Sequence, residues 1–146
     1  MHRVLQLAKD MAKKSLERDR ASERYVEVVS KCLWPWRESW LLLLVGLLAV
    51  LDYISTYTLL ELSGKMAIYE GGALASWALQ IDGFRGLFLM NITAVSTLSL
   101  AAVTTRFLYA KFGFKGFGRT AFVVLLVPYA VVAVAAIINN LLMLFL

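Results

Sequence analysis

The stretch that decides the fold is WLLLLVGLLAVLDYISTYTLLEL, residues 40–62. Crossing a hydrocarbon core of roughly 30 Å takes about 20 predominantly apolar residues in a helix, and this stretch is that long. Its apolar residues lie on every face, without the alternation that a membrane barrel strand requires. Because backbone polar groups find no water inside a bilayer, such a segment satisfies them as a helix. Residues 40–62 therefore predict a transmembrane helix.

Two further stretches are long and apolar enough to cross a membrane: residues 86–109 and residues 120–146, the last without a single charge. The whole chain is 60% hydrophobic and 17% charged, whereas a soluble domain is about 45–50% apolar and about 25% charged. A soluble globular domain and a disordered chain are thereby excluded. The sequence predicts an all-α, polytopic membrane protein whose three-helix transmembrane domain spans residues 40–146.

Residues 1–39 predict an amphipathic cytoplasmic arm, because apolar residues recur there at three- and four-residue intervals among nine Lys/Arg and six Asp/Glu. Pro35 ends this helix, since the residue before a proline is pushed out of the helical region. Trp34, Trp36 and Trp40 follow as an interfacial aromatic collar. Two interpretations of the arm stay open: a helix on the inner leaflet with its cations at lipid head groups, or a docking helix for a cytoplasmic partner.

The distribution of basic residues predicts the orientation. Nine Lys/Arg precede the first span, two lie between the first and second spans, and four lie around the second connection. The positive-inside rule then places the N-terminus in the cytoplasm and the C-terminus outside the cytoplasmic (cell) membrane. The expected head-group contacts of the second connection are Lys111, Lys115 and Arg119, in addition to the three tryptophans of the collar.

Asp52 is the most informative single residue, because a carboxylate near the centre of a span costs about 2.5–3.5 kcal/mol. The hydroxyls of Ser55 and Thr56 lie one turn further along the same helix. Three roles remain open: an interhelical polar network, a proton, cation or substrate site, and an interface whose Lys or Arg neutralises Asp52. The other two spans offer further polar side chains, of which the predicted intramembrane site includes Asn91, Thr93, Thr97 and Asn139.

The outer connection, residues 63–85, contains a second short helix in this interpretation. Residues 73–81 have helical apolar character but are too short to span, which predicts an interfacial or re-entrant helix. Gly71 and Gly72 precede it, so that its N-terminus is suited to an anion or carboxylate. Glu70 lies just before that terminus. If Glu70 met Asp52, the two acids would form a cation or proton-sharing site.

The order of these features resembles a family of small prokaryotic three-helix membrane proteins of unknown function. The resemblance covers roughly residues 40–146 and lies in D-x3-T (Asp52 and Thr56), a glutamate before a small-residue turn (Glu70), and a second span opening near Gly86. Residues 72–73 are Gly-Ala where the family has Asn-Pro, and Asn91 stands where many members have lysine. The resemblance implies a three-helix fold and points to Asp52, Thr56 and Glu70, but it implies no activity.

The amino-acid composition and the absence of known catalytic motifs argue against an enzymatic function. The chain has one histidine and one cysteine, no Ser/His/Asp set, and no Walker or Rossmann pattern. We therefore expect no metal, no cofactor and no nucleic-acid partner, and an enzyme is disfavoured. The favoured function is a non-catalytic accessory or scaffold subunit, whose partners are the lipid bilayer and other membrane subunits or copies of itself. The alternative is a small oligomeric transporter or ion- or proton-coupled channel element that uses Asp52.

Overall fold

The structure, a computed structural model, describes residues 2–62 and 73–145. It contains helices α1 (His2–Leu33), α2 (Glu38–Tyr57), α3 (Ala73–Lys111) and α4 (Lys115–Phe145). Helix α2 continues through one π-helical turn, Thr58–Leu62. The described ranges contain no strand, which confirms the all-α prediction.

Three helices are long and apolar enough to cross a membrane: Glu38–Glu61, Ser76–Lys111 and Lys115–Phe145. This confirms the number of candidate spans. Helices α2 and α4 begin before the predicted ranges 40–62 and 120–146, and α3 ends after the predicted range 86–109, because the flanking charged residues continue the helices instead of ending them. Only residues 112–114 separate α3 from α4, and Gly113 turns the chain there with a φ of 83°, a value that favours glycine.

Helix α4 is at the centre of the bundle. The buried core consists of side chains from α2, α3 and α4: Leu41, Val45, Leu48, Ala102, Phe122, Val123, Leu126, Ala130 and Ala133. The α4 members recur at three- and four-residue intervals, which places them on one face of the helix. In an apolar stretch of 18 residues within each candidate span, 28% of the residues are buried in α2 and α4 but only 11% in α3. Helix α3 is thus the peripheral span.

The polar contacts fix the directions of the spans. Glu38 at the start of α2 contacts Arg106 near the end of α3 and Arg119 near the start of α4. At the opposite end of the bundle, Asn140 of α4 meets Ser55 of α2. Helices α2 and α4 therefore run in one direction and α3 runs in the other. We call the end at Glu38 the basic end, because most of the cations of the chain lie on that side.

Helix α3 is broken near its start. Asp82 (φ −141°, ψ 26°) and Gly83 (φ 56°, ψ −143°) leave the helical region and separate residues 73–81 from residues 84–111. The short segment folds back on the long one, so closely that a Cβ on Gly86 would clash with the carbonyl oxygen of Ala78. The predicted short helix is therefore present, whereas its interfacial or re-entrant placement stays a prediction. Residues 63–72, with Glu70, Gly71 and Gly72, lie outside the described residues.

Helix α1 is one continuous helix that ends immediately before the Trp34-Pro35 pair. Its last turns lie against α4. Before Glu23, every side chain that the structure describes is exposed. These described side chains extend from Gln6 to Ser22, a stretch that is about 25 Å long at 1.5 Å per residue.

Candidate functional site

The intramembrane polar cluster joins α2 to α4. The Asn140 amide nitrogen Nδ2 donates hydrogen bonds to Ser55 Oγ and to Thr56 Oγ1, both at 3.0 Å. Ser55 Oγ in turn donates to the backbone oxygen of Asp52 at 3.0 Å, and Thr56 is buried. Two adjacent hydroxyls of one span thus accept from one amide of another, an arrangement that holds helices together in lipid.

Asp52 is half-buried and contacts this cluster through its backbone oxygen. Its charge interacts electrostatically with Tyr129 of α4, the residue that follows Pro128 inside that helix. Sequence reasoning missed Tyr129, because an aromatic residue in a long apolar helix usually indicates packing alone. The only signal was its position next to a proline, whose missing N–H removes one helical hydrogen bond.

The structure brings together only part of the predicted site. Asn139, which the sequence placed in it, is exposed, and its amide contacts the Met143 sulfur at 3.9 Å. Its neighbour Asn140 occupies the inward position, because adjacent helical residues point about 100° apart. Thr93 and Thr97 are also exposed, and the Thr93 hydroxyl donates to the Leu89 backbone oxygen at 2.7 Å within its own helix.

Asn91 forms a separate contact between α2 and α3. Its Nδ2 donates to the backbone oxygen of Ala49 at 3.1 Å. Further along, the two helices meet through aromatic rings: Tyr53 with Phe88 and Tyr57 with Phe84, with centroids 5.3 and 4.8 Å apart. Asn91 therefore contributes to helix pairing and lies apart from the cluster of Ser55, Thr56 and Asn140.

A second polar cluster lies at the basic end and is centred on Glu38. Arg106 Nε donates to both carboxylate oxygens of Glu38, at 3.1 and 3.0 Å. A terminal nitrogen of Arg119 lies 3.8 Å from Glu38 Oε1, and its other terminal nitrogen donates to the backbone oxygens of Trp34 at 2.8 Å and of Trp36 at 3.3 Å. This cluster ties the linker between α1 and α2 to all three spans.

Arg119 differs from the other two cations for which head-group contacts were predicted. The side chains of Lys111 and Lys115 are exposed. Only 18% of the Arg119 side chain is exposed, because the helix break at Pro35 leaves nearby carbonyls without helical partners and Glu38 supplies a counter-charge. Of the predicted collar, Trp36 and Trp40 are exposed, whereas Trp34 is half-buried.

A third set of contacts docks α1 on the side of α4. Glu23 Oε1 accepts a hydrogen bond from the Gly116 backbone N–H at 2.7 Å, and the Thr120 hydroxyl donates to the Val26 backbone oxygen at 2.9 Å. A Cβ on Gly116 would lie 2.7 Å from Glu23 Cγ, so the close approach depends on glycine. Ser30, one further turn along α1, is fully buried. The end of the arm is therefore held by polar contacts that no sequence pattern indicated.

Taken together, these polar groups mainly bind one another. Within residues 2–62 and 73–145, no three His, Cys, Asp or Glu side chains are grouped so that they could hold a metal ion. Comparison of the chain with protein-family models, with curated proteins and with solved structures finds no match. The resemblance to a three-helix family therefore stays a prediction, and the geometry alone bears on function.

The two adjacent asparagines provide a direct test of the intramembrane cluster. We expect Asn140→Leu to destabilise the bundle by about 1–2 kcal/mol, because side-chain hydrogen bonds between spans contribute on average about 0.6 and at most about 1.7 kcal/mol each. Asn139→Leu, one position away and exposed, should change the stability by less than about 0.5 kcal/mol. Thermal unfolding in mild detergent measures both. Equal losses in the two variants would show that Asn140 does not clamp α2 to α4.

Proposed function

We propose that the chain is a non-catalytic accessory or scaffold subunit that assembles with a larger membrane complex or with copies of itself. The observation that carries this proposal is the way in which α1 is attached to α4. Its last turns are fixed to α4 through Glu23 and Val26, while the side chains described before Glu23 are exposed. A helix that is held firmly at one end and has exposed side chains along about 25 Å is suited to presenting a binding surface.

The use of the polar side chains supports the same proposal. Asn140, Asn91 and Arg106 each bridge two spans. Polar groups engaged in this way stabilise the bundle and give the arm a rigid base. Their arrangement favours a structural role over a catalytic one.

In this proposal the basic end faces the cytoplasm and the C-terminus lies outside the cytoplasmic membrane. Short loops rich in Lys and Arg stay on the cytoplasmic side. Lys111 and Lys115 are exposed at the basic end, and so are most of the described cations of α1. The arm would then meet a cytoplasmic partner or the cytoplasmic face of a membrane complex.

One observation favours the alternative, a small oligomeric transporter or an ion- or proton-coupled channel element. Asp52 is half-buried in a span and interacts with Tyr129, and intramembrane carboxylates often mark ion or proton pathways. The nearby hydroxyls argue against a cation site, because Ser55 and Thr56 direct acceptor lone pairs towards the Asn140 amide. We therefore rank the scaffold first.

The test is a pull-down of the tagged full-length chain from native membranes in mild detergent, with identification by mass spectrometry. We expect a companion in fixed stoichiometry, or a defined multiple of 16.3 kDa. The double variant Lys14→Glu, Arg18→Glu, on the exposed arm, should lower the recovery of the companion, or of the multimer, several-fold. Lys111→Glu with Lys115→Glu makes the same change of charge at the exposed loop and should retain it.

Two results would count against the scaffold. A stable monomer without a companion would contradict assembly, and equal losses in the two double variants would contradict a role of the arm. Asp52→Asn distinguishes the scaffold from the transporter, because a scaffold keeps its companion when this carboxylate is neutralised. Ion or proton flux in vesicles that depends on Asp52, with assembly retained, would instead support the transporter.

A further inference from the structure

One side of the docked half of α1 is both apolar and exposed. Its members lie at helical spacing and are Tyr25, Val28, Val29, Cys32 and Leu33; we call them the α1 strip. The opposite side of the same turns is covered by α4, where Glu23, Val26 and Ser30 lie. The α1 strip therefore points away from the bundle.

The α1 strip lies next to features that are typical of the boundary between water and lipid. The strip lies beside the first turns of α4, the most hydrophobic of the three candidate spans. The strip is followed directly by the tryptophan collar. The collar and three leucines of α2 line a groove of about 450 Å³, whose residues are Trp34, Trp36, Trp40, Leu43, Leu44 and Leu47. Tryptophans concentrate at this level of a bilayer, so the strip meets the head-group region.

Two cations are exposed next to the α1 strip, although the sequence of this half is mixed in charge. The carboxylates of Glu23 and Glu38 are bound within the bundle. Glu27 pairs with Lys31 at 2.8 Å, and the hydrogen bond and charge of Lys31 lower the pKa of Glu27. Arg24 is exposed on the same edge of the helix as Lys31, seven residues away. The acids are thus held by contacts within the protein, while the side chains of Arg24 and Lys31 are exposed at the surface.

From these observations we propose that the α1 strip lies in the head-group boundary of an anionic bilayer, with Arg24 and Lys31 at the lipid phosphates. An apolar face bordered by cations is the pattern of an interfacial helix, which anionic lipid binds more strongly than neutral lipid. The bilayer and α4 together then fix the direction in which the exposed arm leaves the bundle. The proposal is independent of the scaffold function, because it concerns lipid and not a protein partner.

The single cysteine of the chain provides a probe on the α1 strip itself. The full-length protein is reconstituted in vesicles of phosphatidylcholine mixed with phosphatidylglycerol, and Cys32 carries a small fluorophore. We expect lipids with a nitroxide near the head group to quench this label several-fold more than a water-soluble quencher does. The control moves the label to the exposed arm, to Ser15→Cys in a Cys32→Ser background, and should show the opposite preference.

The lipid charge is tested with a second pair of variants. Each cation at an anionic surface contributes about fivefold to a docking equilibrium, so Arg24→Gln with Lys31→Gln should abolish the gain in lipid quenching that phosphatidylglycerol gives over phosphatidylcholine alone. Lys9→Gln with Lys13→Gln, on the distant arm, should leave it unchanged. The proposal is overturned if water-soluble quencher reaches Cys32 as well as it reaches position 15, which would indicate a surface for a soluble partner. Equal effects of the two double variants would also overturn it.

Discussion

Glu38→Ala is expected to destabilise the protein by about 2–3 kcal/mol. The substitution removes the counter-charge of two arginines at once, Arg106 and Arg119. Removing one partner of a fully buried ion pair costs about 3–5 kcal/mol. Because 30% of the Arg106 side chain and 18% of the Arg119 side chain are exposed, solvent screening reduces that cost. The effect is still large, since Glu38 is the acid on which the ends of three spans converge.

The matched control for Glu38→Ala is Glu27→Ala. Glu27 also pairs with a cation, Lys31, but the two side chains are 38% and 58% exposed. Such surface pairs one turn apart in a helix contribute about 0.3–0.5 kcal/mol. Thermal unfolding of both variants in mild detergent measures the difference, and the double variant Glu38→Ala, Arg106→Ala should recover part of the loss. Similar losses for Glu27→Ala and Glu38→Ala would show that the cluster at the basic end does not hold the spans together.

The sequence was sufficient to predict the parts of the fold that depend on hydrophobic length. Residues 40–62, residues 120–145 of the uncharged segment and the short segment 73–81 all lie in helices, because the cost of exposing backbone polar groups leaves an apolar segment little alternative. The boundaries were less predictable. The prediction began the third span at residue 120 because of the cations before it, yet α4 begins at Lys115, since a charged side chain at the end of a span can reach water.

The sequence could not predict which polar side chains contact one another. Asn139 and Asn140 are chemically identical neighbours, and only the rotation of α4 about its axis decides that Asn140 faces Ser55. Arg119 and Lys115 are both cations of one short connection, yet only Arg119 lies near carbonyls that a helix break has left without partners. Glu23 in a mixed-charge segment gave no sign of docking on Gly116. Such contacts depend on the relative placement of helices distant in sequence, which hydrophobic periodicity does not encode.

Gly86→Ala is the second substitution for which we expect a large effect. The short segment 73–81 returns over the start of the long segment, and a Cβ on Gly86 would clash with the carbonyl oxygen of Ala78. That oxygen belongs to the backbone of a helix, so it cannot move aside as the end of a flexible side chain would. Overpacking of this kind costs about 1–3 kcal/mol. Because the strain is confined to the hairpin, we expect the short segment to separate from the long one while the three spans stay assembled.

Gly46→Ala is the matched control, since a Cβ at Gly46 meets nothing within 4 Å and alanine favours a helix by up to about 1 kcal/mol over glycine. Trp77 lies in the short segment and, with Ile81 and Leu89, lines a groove between the two segments. Its environment therefore reports the separation. Hydrogen exchange of residues 73–81 should rise at least tenfold in Gly86→Ala and stay unchanged in Gly46→Ala. Unchanged exchange in Gly86→Ala would mean that residues 73–81 do not pack on the start of the second span.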